Sequence, residues 1–139
     1  MIFIDTNIAI EILNGNNTLD DLITKLSPDK IGITSPSIVE LYYGLYKLKY
    51  LKKELSKSKF NELSFDLEQL IKELNYFSLD LKSAILGAKL YMKLRGKGQE
   101  IDIFDCLIAA IIISNNYKKL VTNNQKHFKR FEELELISF

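Results

Sequence analysis

The sequence contains little of what disulfide frameworks, zinc sites and membrane spans require. Its single cysteine, Cys106, excludes an internal disulfide framework and cannot by itself form a zinc site. The apolar run LIAAIII is far shorter than the roughly 20 residues that cross a bilayer. Asp5 interrupts the apolar start of the chain, which argues against a signal peptide. We therefore expect a cytoplasmic protein that does not associate with a membrane.

The sequence also lacks a strong charge of one sign and lacks linker-like segments. The formal net charge is +1, so any affinity for RNA or DNA must come from a local patch. No repeat, low-complexity tract or linker rich in Pro, Gly or Ser divides the chain. Of its 139 residues, 47% are hydrophobic and 27% are charged. These values are typical of one soluble globular domain, residues 1–139.

What the sequence does contain is an alternation of short apolar runs with longer amphipathic patterns. The apolar runs predict strands at 1–4, 31–34, 76–80, 119–122 and 134–139. The amphipathic patterns predict helices that end at Ile12, begin after Ser35 and span 19–26, 66–74, 81–95 and 103–115, with a short helix before the last strand. Strands that alternate with helices form parallel sheets covered on both faces. We therefore predict an α/β fold, an α/β/α sandwich around a parallel central sheet of about five strands.

Polar residues follow three of the predicted strands. Asp5 follows the first strand, Thr34 ends the second, and Asn123 and Asn124 follow the fourth. Ligands of open parallel sheets bind outside the carboxyl ends of the strands, where the strand order reverses. We expect these residues to lie at that edge of the sheet.

Four acidic residues have a structural explanation when each is considered alone. Asp5 and Asp102 are suitable helix N-caps, and Glu40 lies near the start of a helix, where the helix dipole favours a negative charge. Asp105 is harder to explain, because it lies one turn into a helix that is apolar all round, where an unpaired buried charge is costly. Considered together, these carboxylates predict a cation site. Oxygen ligands without paired His or Cys favour Mg²⁺ or Mn²⁺ over zinc.

Four segments resemble, in order and spacing, the motifs of one known family. FIDTN, ITSPSIVELYYG, IDIFDCLIAA and LVTNNQKHF are similar to PIN-domain proteins, and more closely to the VapC toxins of toxin–antitoxin pairs, over essentially the whole chain. The resemblance implies a PIN-like fold and an Mg²⁺- or Mn²⁺-dependent endoribonuclease that hydrolyses RNA phosphodiesters by metal-activated water. It also implies a homodimer and a cognate VapB-like antitoxin.

The resemblance also assigns site residues by position. Asp5, Glu40 and Asp105 match the three acidic residues of the family's active site and are expected to bind the metal. Asn124 matches the fourth catalytic position, two residues after Thr122. The remaining polar residues of these motifs are expected to be auxiliary: Thr6, Asn7, Asp102, Thr122 and Asn123. His127 is expected to be a surface or capping residue, and Cys106 a core residue.

The helix that carries Glu40 has two apolar stripes on opposite sides. Leu41, Leu45 and Leu48 form one stripe, and the second contains Val39, Tyr43, Tyr46 and Tyr50. If the helix is not buried on both sides within the monomer, the tyrosine stripe is expected to contact a second subunit or the antitoxin. The lysines nearby are candidates for RNA binding: Lys47, Lys49 and Lys53.

Three alternatives remain open at this point. A haloacid-dehalogenase-like phosphatase also has an Asp after its first strand, but it needs a second Asp where this chain has Asn7. A PIN-like nuclease could also process RNA outside a toxin–antitoxin system. A non-catalytic interaction module could keep the same fold, although the presence of both Glu40 and Asp105 argues against it.

Overall fold

The computed structural model describes residues 1–52 and 55–139, so Lys53, one of the predicted RNA-binding residues, lies outside the described residues. Within them the centre of the molecule is a parallel sheet of five strands, as predicted. The strands are β1 (Ile2–Ile4), β2 (Ile31–Thr34), β3 (Asn75–Phe77), β4 (Lys119–Val121) and β5 (Glu135–Ile137). Their order across the sheet is β3-β2-β1-β4-β5. The chain therefore moves outward on one side of β1 as far as β3 and then crosses to the other side of β1.

Seven α-helices connect and cover the strands in the described part of the chain. They are α1 (Thr6–Leu13), α2 (Leu19–Leu26), α3 (Ser35–Lys47), α4 (Lys57–Glu73), α5 (Leu81–Gly96), α6 (Ile103–Ser114) and α7 (Gln125–Phe128). A π-helical turn, Leu48–Lys52, continues α3. No helix within residues 1–52 and 55–139 is both long and apolar enough to span a bilayer.

The side chains of β1 alternate between two hydrophobic cores, one on each face of the sheet. Ile2 and Ile4 pack with residues of α1 to α4, whereas Phe3 packs with residues of α5, α6 and α7. In β4 the same alternation places Val121 in the first core and Leu120 in the second. Because successive residues of a strand point to opposite faces, one short apolar run supplies both cores. The predicted α/β/α sandwich is confirmed.

Helix α6 is buried in the second core and carries two of the acidic residues at its N-terminal end. Six of its residues are buried: Cys106, Ile108, Ala109, Ala110, Ile111 and Ile112. The predicted core position of Cys106 is thus confirmed, and the predicted cap is also present, since the Asp102 side chain accepts a hydrogen bond from Phe104 N at 2.8 Å. Burial of this helix fixes the acidic residues of its first turn against the sheet edge.

Several predicted boundaries were wrong. Helix α4 spans Lys57–Glu73 rather than 66–74, and strand β5 spans Glu135–Ile137 rather than 134–139. Helix α3 begins at Ser35 rather than after it, with Thr34 in the N-cap position. The Ser35 hydroxyl instead accepts a hydrogen bond from the backbone N–H of Leu79 at 3.0 Å, which ties the start of α3 to the segment after β3. Strand β3 occupies 75–77 rather than 76–80, because only these residues pair with β2 before Asp80 caps α5.

Candidate active site

The candidate site forms where the strand order reverses. β1 and β4 are neighbours in the sheet, and Asp5 and Thr122 follow them directly. The Thr122 hydroxyl donates a hydrogen bond of 2.5 Å to Asp5 Oδ2, across 117 positions of sequence. Both side chains are buried. The reversal point therefore holds a carboxylate whose orientation is set by the neighbouring strand.

Asp5 caps α1 and faces the site at the same time. Its backbone is extended (φ −83°, ψ 177°), and its Oδ1 accepts a hydrogen bond of 2.9 Å from Ile8 N. The side chain is 3% exposed, and this burial raises the pKa of the Asp5 carboxyl, although the hydrogen bonds from Thr122 and Ile8 oppose the rise. Asp5 is thus the helix cap that its position suggests, and it is also a carboxyl whose ionised form is disfavoured by burial.

Glu40 approaches the same place from α3, one turn into the helix that follows β2. The Thr6 hydroxyl donates a hydrogen bond of 2.8 Å to Glu40 Oε1. Burial raises the pKa of Glu40 and the Thr6 hydrogen bond opposes it, while the negative charges of Asp105, Asp102 and Asp5 raise it further. Glu40 is therefore close enough to the other carboxylates for their negative charges to affect its pKa.

Asp105 completes the acidic set from α6. Its Oδ2 lies 3.2 Å from Nδ1 of His127, at the end of the α7 segment. Burial raises the pKa of Asp105, the contact with His127 lowers it, and the charges of Asp102 and Asp5 raise it again. His127 is exposed, as expected of a surface residue, and its contact with Asp105 is one that the sequence did not predict. Sequence spacing gave no signal for the pair, because 22 residues separate its members.

The three carboxylates line one cavity of about 170 Å³ at the carboxyl edge of the sheet. Its lining includes all of the predicted acidic residues and three further predicted residues: Asp5, Glu40, Asp102, Asp105, Thr6, Asn7 and Asn124. Ile108 and Phe128 supply apolar walls, and His127 lies at the side. The structure thus brings together residues that are far apart in sequence.

The asparagine pair after β4 divides into two roles. Asn124 lines the cavity, and its backbone N–H donates to Thr122 Oγ1 at 2.9 Å. Asn123 does not line the cavity; its side chain donates to Glu11 at 3.3 Å and accepts a hydrogen bond from Phe139 N at 3.1 Å. Asn123 therefore fixes the C-terminal segment, while Thr122 supports the site by holding both Asp5 and Asn124.

The donor chemistry of the cavity fits a hard divalent cation. Carboxylate oxygens from three elements, with an amide beside them, are the ligand types that Mg²⁺ and Mn²⁺ take. Their present spacing does not by itself form a metal site: within residues 1–52 and 55–139, no group of three or more His, Cys, Asp or Glu side chains could hold a metal ion as placed. Burial is the main cause of the raised pKa of Glu40, and the negative charges of Asp105, Asp102 and Asp5 raise it further; a cation would neutralise that repulsion.

The predicted interface residues and the two described RNA-binding candidates, Lys47 and Lys49, are not among the residues that line the cavity. The tyrosine stripe is exposed, with Tyr43 67% and Tyr50 61% accessible, so burial of α3 on both sides within the monomer is excluded. Tyr46 is 45% exposed and packs against Tyr42, Tyr50 and Phe60. Of the described lysines, Lys47 is exposed, and the Lys49 ammonium lies 4.8 Å from the centre of the Phe60 ring.

A second exposed apolar stripe lies on α5 and was missed in the sequence. Leu81, Ile85 and Met92 are 78%, 64% and 61% exposed, and they share one face of the helix at intervals of four and seven residues. The signal was present in this spacing. Spacing alone does not say which face of a helix is covered.

Comparison with protein families gives one match, to the PIN domain, over residues 2–134. A comparison with curated proteins finds no match. Among solved structures, the fold is similar to a chain of VapBC2 from Rickettsia felis bound to a DNA fragment from the promoter, with 30% sequence identity and a TM-score of 0.81. That alignment covers 100% of this chain and 99% of the other.

Two further structures share the fold at lower identity. VapBC from Salmonella typhimurium, bound to DNA, has a TM-score of 0.80 and 24% identity, with 99% of this chain and 98% of that chain covered. FitAcB from Neisseria gonorrhoeae has a TM-score of 0.72 and 22% identity, with 99% and 96% covered. These likenesses show that the architecture described above is shared with a chain of each of these three structures.

Proposed function

The chain belongs to the PIN domain family, a family of nucleases, and from this premise we propose that it is an endoribonuclease dependent on Mg²⁺ or Mn²⁺. We further propose that it is a VapC-type toxin of a type II toxin–antitoxin pair. The second part is supported by the likeness, at 30% identity over the whole chain, to a chain of the Rickettsia felis VapBC2 complex.

The observation that carries the proposal is the convergence of Asp5, Glu40 and Asp105 on one cavity beside Asn124. Each of the three carboxyls has a raised pKa because of burial, so the fold keeps three costly acids in one place. Such an arrangement is typical of a functional site. A purely structural cluster would need cationic partners, and among the described residues no Lys or Arg forms an ion pair with these acids; His127 is the one basic side chain in contact with them.

The three carboxylates would hold the cation, each from a different element of the fold. When bound, a divalent cation supplies activation of water and stabilisation of negative charge on the phosphate. Thr122 and Ile8 N fix both oxygens of Asp5 and so orient it as a ligand. Thr6 occupies Glu40 Oε1, which leaves Oε2 to accept a proton from an attacking water. His127 orients Asp105 through Oδ2.

We propose a VapB-like antitoxin and a second copy of the chain as protein partners. The exposed tyrosine stripe of α3, which contains Tyr43, Tyr46 and Tyr50, is proposed as an interface with one of them. An exposed aromatic patch of this kind is typical of protein interfaces, where tyrosine is enriched.

The test is cleavage of RNA by single variants in which an acid is replaced by its amide. Asp5→Asn, Glu40→Gln and Asp105→Asn are each expected to abolish Mg²⁺-dependent cleavage while keeping the wild-type circular dichroism spectrum. Asp29→Asn is the matched control, because Asp29 is exposed and outside the cavity. Full cleavage by any one variant would remove that residue from the site. If the wild-type chain fails to cleave RNA with either metal, the proposed activity is wrong and the non-catalytic module becomes the better reading.

A further inference from the structure

A second, larger cleft opens beside the carboxylate cavity. It has a volume of about 400 Å³, which lies in the range of roughly 300–1,000 Å³ found for small-molecule binding sites. It is lined by residues from the end of α5, the segment before α6 and the segment around α7: Tyr91, Arg95, Glu100, Ile101, Asp102, His127 and Arg130. Asp102 and His127 also line the carboxylate cavity, so the two spaces share a wall.

Two arginines give this cleft cationic groups that carboxylates do not occupy. Arg130 donates from Nη1 to the backbone carbonyl of Glu100, and Arg95 donates from Nη1 to the Tyr91 hydroxyl at 3.3 Å. Within the described part of the chain, neither guanidinium forms an ion pair with a carboxylate. Each therefore retains N–H donors in the fork geometry that fits a phosphate group.

The wall between the arginines suits a nucleobase. The Tyr91 ring is half-buried, and the Arg95 guanidinium carbon lies 5.7 Å from its centre. Ile101 extends this wall with a half-buried apolar surface. Bases of single-stranded RNA stack on aromatic rings and guanidinium planes, while arginines neutralise the backbone. Two acids also line the cleft: Asp102 is engaged as the cap of α6 through Phe104 N, and Glu100 contacts Arg130 through its backbone carbonyl.

We propose that this cleft, here called the arginine cleft and lined by Tyr91, Arg95, Glu100, Ile101, Asp102, His127 and Arg130, binds the nucleotide that flanks the scissile phosphate. Arg95 and Arg130 bind the backbone phosphate, and Tyr91 stacks on the base. The inference rests on the proposed ribonuclease function and locates its substrate contact. It adds a second candidate RNA-binding surface to the predicted lysines; the cleft adjoins the carboxylates, whereas Lys47 and Lys49 line neither space.

The test measures binding rather than cleavage. An end-labelled, mixed-sequence single-stranded RNA is titrated with the chain in chelator, and fluorescence anisotropy gives the Kd at several salt concentrations. Arg95→Gln is expected to raise the Kd about tenfold, the loss of one charge-assisted hydrogen bond. It should also reduce the salt slope by about 0.7, the value for one phosphate contact on a single strand.

The base contact has its own pair of variants. Tyr91→Leu should raise the Kd roughly tenfold through loss of stacking, with the salt slope unchanged. Tyr91→Phe keeps the ring and should bind as the wild type does. Lys82→Gln removes one exposed positive charge from the same helix outside the cleft and should also have no effect. Thermal melts establish that each variant is folded.

The outcomes separate the cleft from the proposed activity. If folded Arg95→Gln and Tyr91→Leu bind RNA as the wild type does, or if Lys82→Gln weakens binding equally, the arginine cleft is not the RNA subsite. The proposal is also wrong if the wild type does not bind the RNA, or if the variants lose binding to a protein partner while their affinity for RNA is unchanged. Conversely, a wild type that binds RNA through these residues but fails to cleave it supports the cleft and refutes the nuclease.

Discussion

His127 Nδ1 lies 3.2 Å from Asp105 Oδ2, which joins the single histidine of the chain to the acidic residue that sequence reasoning found hardest to explain. Asp105 lies in the first turn of α6, and His127 lies in α7, which follows β4 in the chain. The contact lowers the pKa of Asp105 against the effect of burial. The contact with His127 therefore offsets part of the cost of burying this carboxylate and fixes its orientation.

His127→Ala is therefore expected to impair the site without unfolding the protein. Loss of a hydrogen-bond partner of a metal-binding residue typically costs about 10- to 100-fold in metal affinity or activity. The measurement is the Mg²⁺ concentration that gives half-maximal RNA cleavage, which should rise in this variant. His127→Asn, whose amide nitrogen can take the place of Nδ1, should retain most of the metal affinity. Lys126→Ala is the neighbouring control, and an equal effect there would show that the Asp105 contact is unimportant.

Metal-free Asp5→Asn is expected to melt at a higher temperature than the metal-free wild type. An amide still accepts the hydrogen bond from Ile8 N, because Asn caps helices about as well as Asp. It also removes a charge near Glu40 and Asp105, for a gain of about 1 kcal/mol. Mg²⁺ should stabilise the wild type more than the variant, because a ligand stabilises only a native state that binds it. If both proteins respond alike to the ion, Asp5 is a cap and not a metal ligand.

The same variant has a defined pH dependence. Because burial raises the pKa of Asp5, the folded chain binds this proton more tightly than the unfolded chain does. Between the ordinary and the raised pKa, the free energy of unfolding of the wild type therefore falls as pH rises. Asp5→Asn has no carboxyl at this position and does not lose stability in this way. In chelator, the difference in free energy of unfolding between the variant and the wild type should therefore increase as pH rises from the ordinary to the raised pKa of Asp5. Melts over a pH series in chelator measure it, and a constant difference would contradict the assigned pKa direction.

One variant in each exposed apolar stripe tests whether the tyrosine stripe or the stripe on α5 binds a second copy of the chain or the antitoxin. Tyr43→Glu is the better probe of the first stripe, because Tyr43 is 67% exposed whereas Tyr46 packs against three aromatic rings. Ile85→Glu is the matched probe of the second stripe, with 64% exposure. Each variant is examined by analytical ultracentrifugation and by capture of the antitoxin. Tyr43→Glu should reduce one of the two associations, and the proposed interface is wrong if both stay at the wild-type level.

Gly44→Ala is expected to stabilise the monomer. Gly44 lies inside α3, and a Cβ placed there meets no atom within 4 Å. Replacing a helical glycine by alanine should then raise the free energy of unfolding by about 1 kcal/mol. Gly15→Ala is the contrasting variant, because the positive φ of 76° at Gly15 is unfavourable for residues with a Cβ. Urea unfolding of both variants checks the prediction, which fails if Gly44→Ala is destabilising.

The sequence by itself determined the layered fold and the identity of the acidic residues. Short apolar runs such as MIFI can be strands buried on both faces, and their alternation with helices specifies a parallel sheet. The family resemblance added the positions of Asp5, Glu40 and Asp105. Boundaries such as the start of α3 were less certain, because capping depends on contacts like that between Ser35 and Leu79, 44 residues apart.

Only the tertiary structure decided which side chains meet. The hydrogen bond from Thr122 to Asp5 exists because β1 and β4 are neighbours, and the pair of His127 with Asp105 exists because α7 packs beside α6. The arginine cleft likewise combines Arg95 with Arg130, which lie on separate elements. Local pattern and spacing encode which face of an element is apolar. Contacts across tens of residues depend on how those faces pack, and that is a property of the whole fold.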